Sequence, residues 1–473
     1  MSREEIEQVE KELDAVLEMV QRPVTVKNAD NREEAASLQE NLQENDPLQE
    51  EMQIETEKEE KEDSPESAAK EQTAVSEEEL NLEDDIENGY FHFLRPSDGL
   101  IAAFFVPVAV LIILFAQRGI FPFGEECFLR TDMYHQYAPF FSEFQYKLKQ
   151  GGSLLYSWDI GMGVNFSALY AYYLASPVNW LIILCPKKFI IEFMTILIMV
   201  KTGLCGVTFT WYLDHHFEKK HFVAGVFGIF YALSGYMAAY SWNIMWLDCI
   251  LLFPLIVYGL ERLVREQKGM LYCVTLGLSI LSNYYISIMT CLFLVLYFIA
   301  LLILEEPGPV RKYVESCARF GIYSLLSGGL AAGVLLPEIC ALQSTASGNF
   351  DFPKAWTSYF PIFDMIARHI GNVETEIGLD HWPNIYCGVA VFLFFLLYLA
   401  CKKISVKEKA VYCGLLLLFF ASFSMNVLNF IWHGFHYPNS LPSEAQWAPH
   451  IRQRMITTTS VVPSQKVEVI HLR

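Results

Sequence analysis

From residue 99 onward the chain alternates long apolar runs with short polar intervals. The runs fall at about 99–117, 188–213, 222–240, 247–262, 270–284, 286–304, 319–341, 385–401 and 410–428. Their length and apolar content read as membrane helices. They predict an all-α, polytopic transmembrane helical bundle of about nine spans. The basic clusters are Lys219-Lys220, Arg262/Arg265/Lys268, Arg311/Lys312/Arg319 and Lys402/Lys403/Lys407/Lys409. Placing all of them on the cytoplasmic side fixes the topology, with the N-terminus inside. Under that topology 168–186 is apolar but cannot be a further full span without inverting every later loop. Its Ser176-Pro177 break predicts an interfacial or re-entrant helix on the outer face. Two large outer loops remain, 118–187 and 342–384, and loops of that length are uncommon unless functional. The spans 270–284 and 286–304 meet in a tight outer turn at Asn283-Tyr284-Tyr285.

Charge divides the chain. Its 473 residues are 53% hydrophobic, yet the formal net charge is −20. Residues 1–89 carry 30 acidic and only 8 basic side chains, so the acidity belongs to that tail. The tail is too polar to offset its ordering entropy, and it is expected to be a disordered, cytoplasmic segment. Ile6, Val9, Leu13, Val16, Leu17 and Val20 recur there at helical spacing and suggest a short amphipathic start. Such a tail excludes nucleic acid as a partner. The charged start is not a cleavable signal peptide, so the first span is expected to act as a signal anchor. Eleven cysteines include no CxxC pair and mostly lie in apolar runs, where they read as small core residues. The expected division is a tail over 1–89, a transmembrane domain over 90–442 and an atypical polar tail over 443–473.

Candidate chemistry concentrates in 121–165, the first substantial polar stretch after the first span. Asp132, between Arg130 and His135, can serve as a general base just outside the bilayer. An acid at the head of an amphipathic helix is also a common cap, and Tyr137, Phe140, Phe141, Phe144 and Leu148 mark such a helix here. On the residues alone both readings stand. Asp159, in YSWDIGMG, lies in a glycine-containing turn and could hold sugar hydroxyls or simply turn the chain.

Several motifs carry a resemblance. RTDMYHQYAPFFSEF, GGSLLYSWDIGMGVNF, YYLASPVNW, NIMWLDCILLFPLIVYGLERL, LSNYYISIM and WHGFHYPNSLP together resemble the YfhO family of bacterial membrane proteins. That family is assigned to the GT-C class of polytopic glycosyltransferases. The resemblance implies a GT-C-like fold and transfer of a sugar from an undecaprenyl-phosphate carrier to an extracytoplasmic cell-wall glycopolymer of teichoic or lipoteichoic acid type. In GT-C enzymes the catalytic acid lies in the first outer loop, and Asp132 matches by position. A polyprenyl-phosphate leaving group needs no protonation, whereas the acceptor hydroxyl needs a base. Arg130, His135 and Lys201, with Arg368 and His369, are candidates to neutralise the departing phosphate. Lys201 inside a span costs about 2.5–3.5 kcal/mol at a helix centre, which suggests function, although snorkelling would also place it there.

Tyr134, Asp159, Asn165, Asn243, Asp248, Asn283, Glu338 and His381 complete the expected substrate-binding set. For Asp248 and Glu338 a water-facing helix end is the competing explanation. For His381 it is interfacial anchoring. No HxxxH or DxD triplet occurs, so no cofactor and no obligatory metal are expected. After Pro442 the resemblance stops. The family continues with further spans and an outer C-terminal domain, whereas this chain reads as truncated. It would be inactive if the missing part binds the acceptor. The expected location is the cell membrane, multi-pass, with the site extracytoplasmic. The alternatives to an enzyme are a transporter or flippase of lipid-linked sugar, and a non-catalytic scaffold of envelope assembly.

Overall fold

The computed structural model describes residues 95–218, 222–343, 352–361, 363–370, 375 and 382–435. The acidic tail over 1–89, His381 and the stretch 443–473 lie outside the described residues. Helix α1 (Pro96–Gln117) opens with Pro96, whose missing N–H costs nothing at a first turn. The Arg95 backbone N–H donates to Asp98 Oδ2 at 2.8 Å and closes the cap. Helix α2 (Ala138–Gln150) lies in the first loop. It follows a π-helical turn over Met133–Tyr137. Helices α3 (Ile190–His216) and α4 (Phe222–Ala232) pack on α1.

This packing is backbone to backbone. A Cβ on Gly206 of α3 would stand 2.2 Å from the Ala103 carbonyl oxygen. One on Gly225 of α4 would stand 2.4 Å from the Gly99 carbonyl oxygen. Without a hydrophobic force between helices in lipid, such close approach is what holds them.

Helix α4 breaks at Leu233-Ser234 into α5 (Gly235–Tyr240). A buried corner, Trp242 to Trp246, then leads into α6 (Leu247–Arg265). Helices α7 (Met270–Ser282) and α8 (Tyr284–Leu304) meet at Asn283. Its side chain accepts from Ile286 N at 2.9 Å and donates to the Tyr172 carbonyl at 2.9 Å, so this residue caps a helix and ties down the first loop. Helices α9 (Val310–Leu330) and α10 (Ala332–Leu342) bend by 83° where they join. Helices α11 (Val389–Ala400), α12 (Val406–Ser424) and α13 (Asn426–Trp432) complete the bundle.

Helices occupy every segment in which the apolar pattern predicts a span, but fewer of them are long and apolar enough to cross a membrane. Among the described residues four pass, or up to six if each bent pair is one span. The reasons are local. Helix α7 has 13 residues and α11 has 12, or about 20 and 18 Å of rise, short of a roughly 30 Å hydrocarbon core. Helix α6 carries Asp248, Glu261, Arg262 and Arg265. Helix α9 spends its first half on Arg311, Lys312, Glu315 and Arg319, and α12 opens on Lys407, Glu408 and Lys409. The molecule is thus an all-α, multi-pass membrane bundle with several half-length or bent elements. The segment 166–184 is one of them: Phe166–Leu174 and Pro177–Leu184 bend by 101°.

Candidate functional site

The first loop is built from its glycines outward. Gly119, with φ +64°, reverses the chain after α1. Gly124 returns so close that a Cβ there would stand 2.4 Å from the Gly119 carbonyl oxygen. Phe121 N donates to the Glu126 carbonyl at 2.9 Å, and Glu126 N donates to the Gly119 carbonyl at 3.0 Å. This fold-back returns the loop to the end of α1, so that Arg118 and Arg130 line one cleft.

Between α1, α3, α4, α5 and the returning loop lies a cleft of about 840 Å³. Val110, Leu114 and Phe115 of α1 give it an apolar floor, and Arg118 and Arg130 stand at its loop end. Thr202 lines it as well; its Oγ1 is buried without a hydrogen-bond partner among the described residues. Glu126 also lines it, so its charged lining is two exposed guanidinium groups against one carboxylate, a net positive trough that suits an amphiphile with an anionic head.

Asp132 follows at once. It is half-buried, and among the described residues its carboxylate makes no salt bridge and no hydrogen bond. Its neighbours are fixed on both sides. Met133 is fully buried, and its N–H donates to the Arg130 carbonyl at 2.9 Å. Thr131 has φ +45°, a left-handed conformation that a β-branched residue adopts only at a cost of about 1–3 kcal/mol. The Asp132 charge reaches Tyr173 electrostatically.

Aromatic side chains extend the site away from Asp132. Tyr137 stacks on Trp242 with ring centroids 6.1 Å apart and donates its hydroxyl to Asn243 Oδ1 at 2.7 Å. Tyr173 donates to Gln136 Oε1 at 2.8 Å and packs on Tyr137 at 5.6 Å. Tyr172 touches Tyr173 at 4.6 Å and Tyr284 at 5.9 Å. Tyr284 interacts with Glu338, which is 4% exposed and keeps Oε2 without a hydrogen-bond partner among the described residues.

The residues expected at the site therefore fall into groups. Arg130, Asp132, Tyr134 and His135 share one loop, of which Arg130 lines the cleft and Tyr134 and His135 are exposed. Asn243 joins them through Tyr137, while Glu338 lies at the far end of the tyrosine path. Asp159 and Asn165 sit on a small hairpin, β1 (Tyr156–Ser157) against β2 (Val164–Asn165). Ser157 Oγ donates to Glu143 Oε1 at 2.6 Å, and Lys147 Nζ donates to the Tyr156 carbonyl at 3.0 Å, so the hairpin is fastened to α2.

Lys201 and Asp248 bind each other. Nζ and Oδ2 are 2.7 Å apart at 2% and 5% side-chain exposure. Ser176 Oγ donates to Asp248 Oδ1 at 2.9 Å, and Lys201 also donates to the Ile244 carbonyl at 3.1 Å. Arg368 is occupied by the Pro383 carbonyl and Asn384 Oδ1, both at 3.0 Å. Among the described residues no group of three His, Cys, Asp or Glu could hold a metal ion.

Tyr137 reads in the sequence as the apolar face of an amphipathic helix, and Tyr172, Tyr173 and Trp242 read as aromatic belt residues, so none of the four was expected at the site. Arg118 had a readable signal, a cation at the end of the first span facing the acid-bearing loop.

A model of the bacterial membrane protein YfhO family matches residues 102–443, from the first span to just past the last described helix. The chain belongs to the YfhO family of bacterial membrane proteins. A protein of Bacillus subtilis strain 168 described as "Uncharacterized protein YfhO" is 22% identical over 305 residues. That match covers 59% of this chain and 32% of the relative, so the chain spans about a third of the length of the curated relative it matches. No solved structure matches. The family match contains the cleft, Asp132 and the tyrosine path.

Proposed function

We propose that the chain is a GT-C-type glycosyltransferase that moves a sugar from a polyprenyl-phosphate carrier to an extracytoplasmic cell-wall polymer. Asp132 is its general base. The observation that carries the reading is the cleft: an apolar trough beside α1, two arginines at its mouth and an uncommitted carboxylate just beyond them. A hydrocarbon carrier fits the trough, and Arg118 and Arg130 face its phosphate. The acceptor hydroxyl attacks the anomeric carbon while the bond from that carbon to the carrier phosphate breaks. The proton of the hydroxyl passes to the Asp132 carboxylate, and the phosphate leaves with the bonding pair. Exposed Tyr134 and the hairpin bearing Asp159 offer a ring face and hydrogen bonds to the sugars. In this reading the N-terminus is cytoplasmic and the cleft opens outward.

The ion pair of Lys201 with Asp248 favours an enzyme over a transporter. These charges are spent on each other, whereas a transport path needs intramembrane polar groups available to cargo. The test is release of polyprenyl phosphate from a polyprenyl-phosphate sugar by the protein in nanodiscs with a teichoic acid acceptor. Acceptor-dependent release supports the assignment. Movement of intact donor across the bilayer without release replaces it with the flippase reading.

A further inference from the structure

A second cavity, of about 370 Å³, lies between the 363–370 segment and helices α11 and α12. Its lining is apolar, including Phe363, Ile366, Phe392, Leu416 and Phe420, with two exceptions, Cys413 and His369. His369 is 8% exposed. Its Nδ1 lies 2.8 Å from the Met365 carbonyl, and a carbonyl only accepts, so Nδ1 carries the hydrogen. Nε2 is then a bare lone pair in the neutral ring, and it is buried without a partner among the described residues. Burial pushes this imidazole below the usual histidine range, which keeps the ring neutral. A neutral ring of this tautomer offers nothing to a phosphate oxygen, so His369 does not suit the phosphate-neutralising role its sequence position suggested.

We propose that this cavity binds a single-chain lipid ending in a hydroxyl, of the monoacylglycerol or long-chain alcohol class, whose O–H donates to His369 Nε2. The chemistry follows from the donor count. An orphaned buried acceptor costs about 1–3 kcal/mol and is relieved by any donor an apolar ligand can bring. The wall admits hydrocarbon: Phe363, Ile366 and Leu417 are 76%, 53% and 61% exposed, so the rim continues into an apolar surface. A carboxylate cannot serve, because an ionised acid brings acceptors only. This site is separate from the first-loop cleft and does not depend on the glycosyltransferase reading.

Photocrosslinking of the full chain in nanodiscs tests the proposal with matched diazirine probes of one chain length, ending in a hydroxyl, a methyl ether or a carboxylate at pH 8. The hydroxyl probe should label peptides spanning 363–370 and 413–420 at least about fivefold more than the other two, as expected for one hydrogen bond. His369→Phe should make the three probes equal, and His369→Asn, which keeps an acceptor, should restore part of the preference. Equal labelling of the unaltered protein by hydroxyl and ether probes overturns the proposal without reference to any variant. Labelling led by the carboxylate probe overturns it as well.

Discussion

The Tyr137 hydroxyl and the Asn243 side chain meet at 2.7 Å although 106 positions separate them. This bond fastens the first loop to the corner between α5 and α6, and Tyr137 stacks on Trp242 of the same corner. Tyr137→Phe keeps the stacking and removes the donor. Asn243 Nδ2 already lacks a partner among the described residues, so its side chain would then be wholly unpaired. The expected cost is about 1–3 kcal/mol. Thermal unfolding in detergent, read as a double-mutant cycle with Asn243→Leu, checks it: the double variant should recover most of the loss.

Lys201 and Asp248 give a test that separates structure from function. Lys201→Met leaves a buried carboxylate and should destabilise by about 3–5 kcal/mol. Lys201→Met with Asp248→Leu removes both charges and should restore folding and donor turnover together. A folded double variant with no turnover would return Lys201 to the phosphate-binding role.

Thr131 holds a left-handed backbone immediately before Asp132. Glycine adopts that conformation freely, so Thr131→Gly should not destabilise the fold and should relieve strain of order 1 kcal/mol. The same change loosens the aim of Asp132. Turnover should fall severalfold at unchanged or higher melting temperature, a combination that a purely structural residue does not produce.

His369 makes a pH prediction. Burial holds its folded-state value below the ordinary 6.5. The unfolded chain therefore takes up this proton first as pH falls. The contribution is fully present above about pH 6.5 and is lost progressively below it. No carboxylate lines the cavity to offset the charge. Melting temperatures measured between pH 8 and pH 5 should decline in the acid range, and His369→Phe should remove that part of the decline.

The helix segments were legible because apolar runs in lipid leave the backbone no alternative to internal hydrogen bonding. The sequence reads Asp132 as an acid at the head of an amphipathic stretch, and it stands immediately before the π-helical turn that leads into α2. The membrane-crossing count was not legible, because α7, α9 and α11 are too short or too charged at one end, which an apolar run does not reveal. The partner of Lys201 was hidden as well: Asp248 lies 47 positions away on another helix, and only packing brings them together. Asn283 read as a site residue, and its side chain caps α8 and holds the Tyr172 carbonyl instead. The tyrosine path is a tertiary product, assembled from the first loop, α8 and α10, with no local pattern to announce it.

The most direct measurement is the rate of polyprenyl phosphate release by Asp132→Asn against the unaltered protein, in the same nanodiscs with saturating donor and acceptor. Asparagine keeps the shape and removes the base. The account predicts a fall of about 10²-fold or more in rate, with donor binding to the cleft unchanged. Release at the unaltered rate would contradict it.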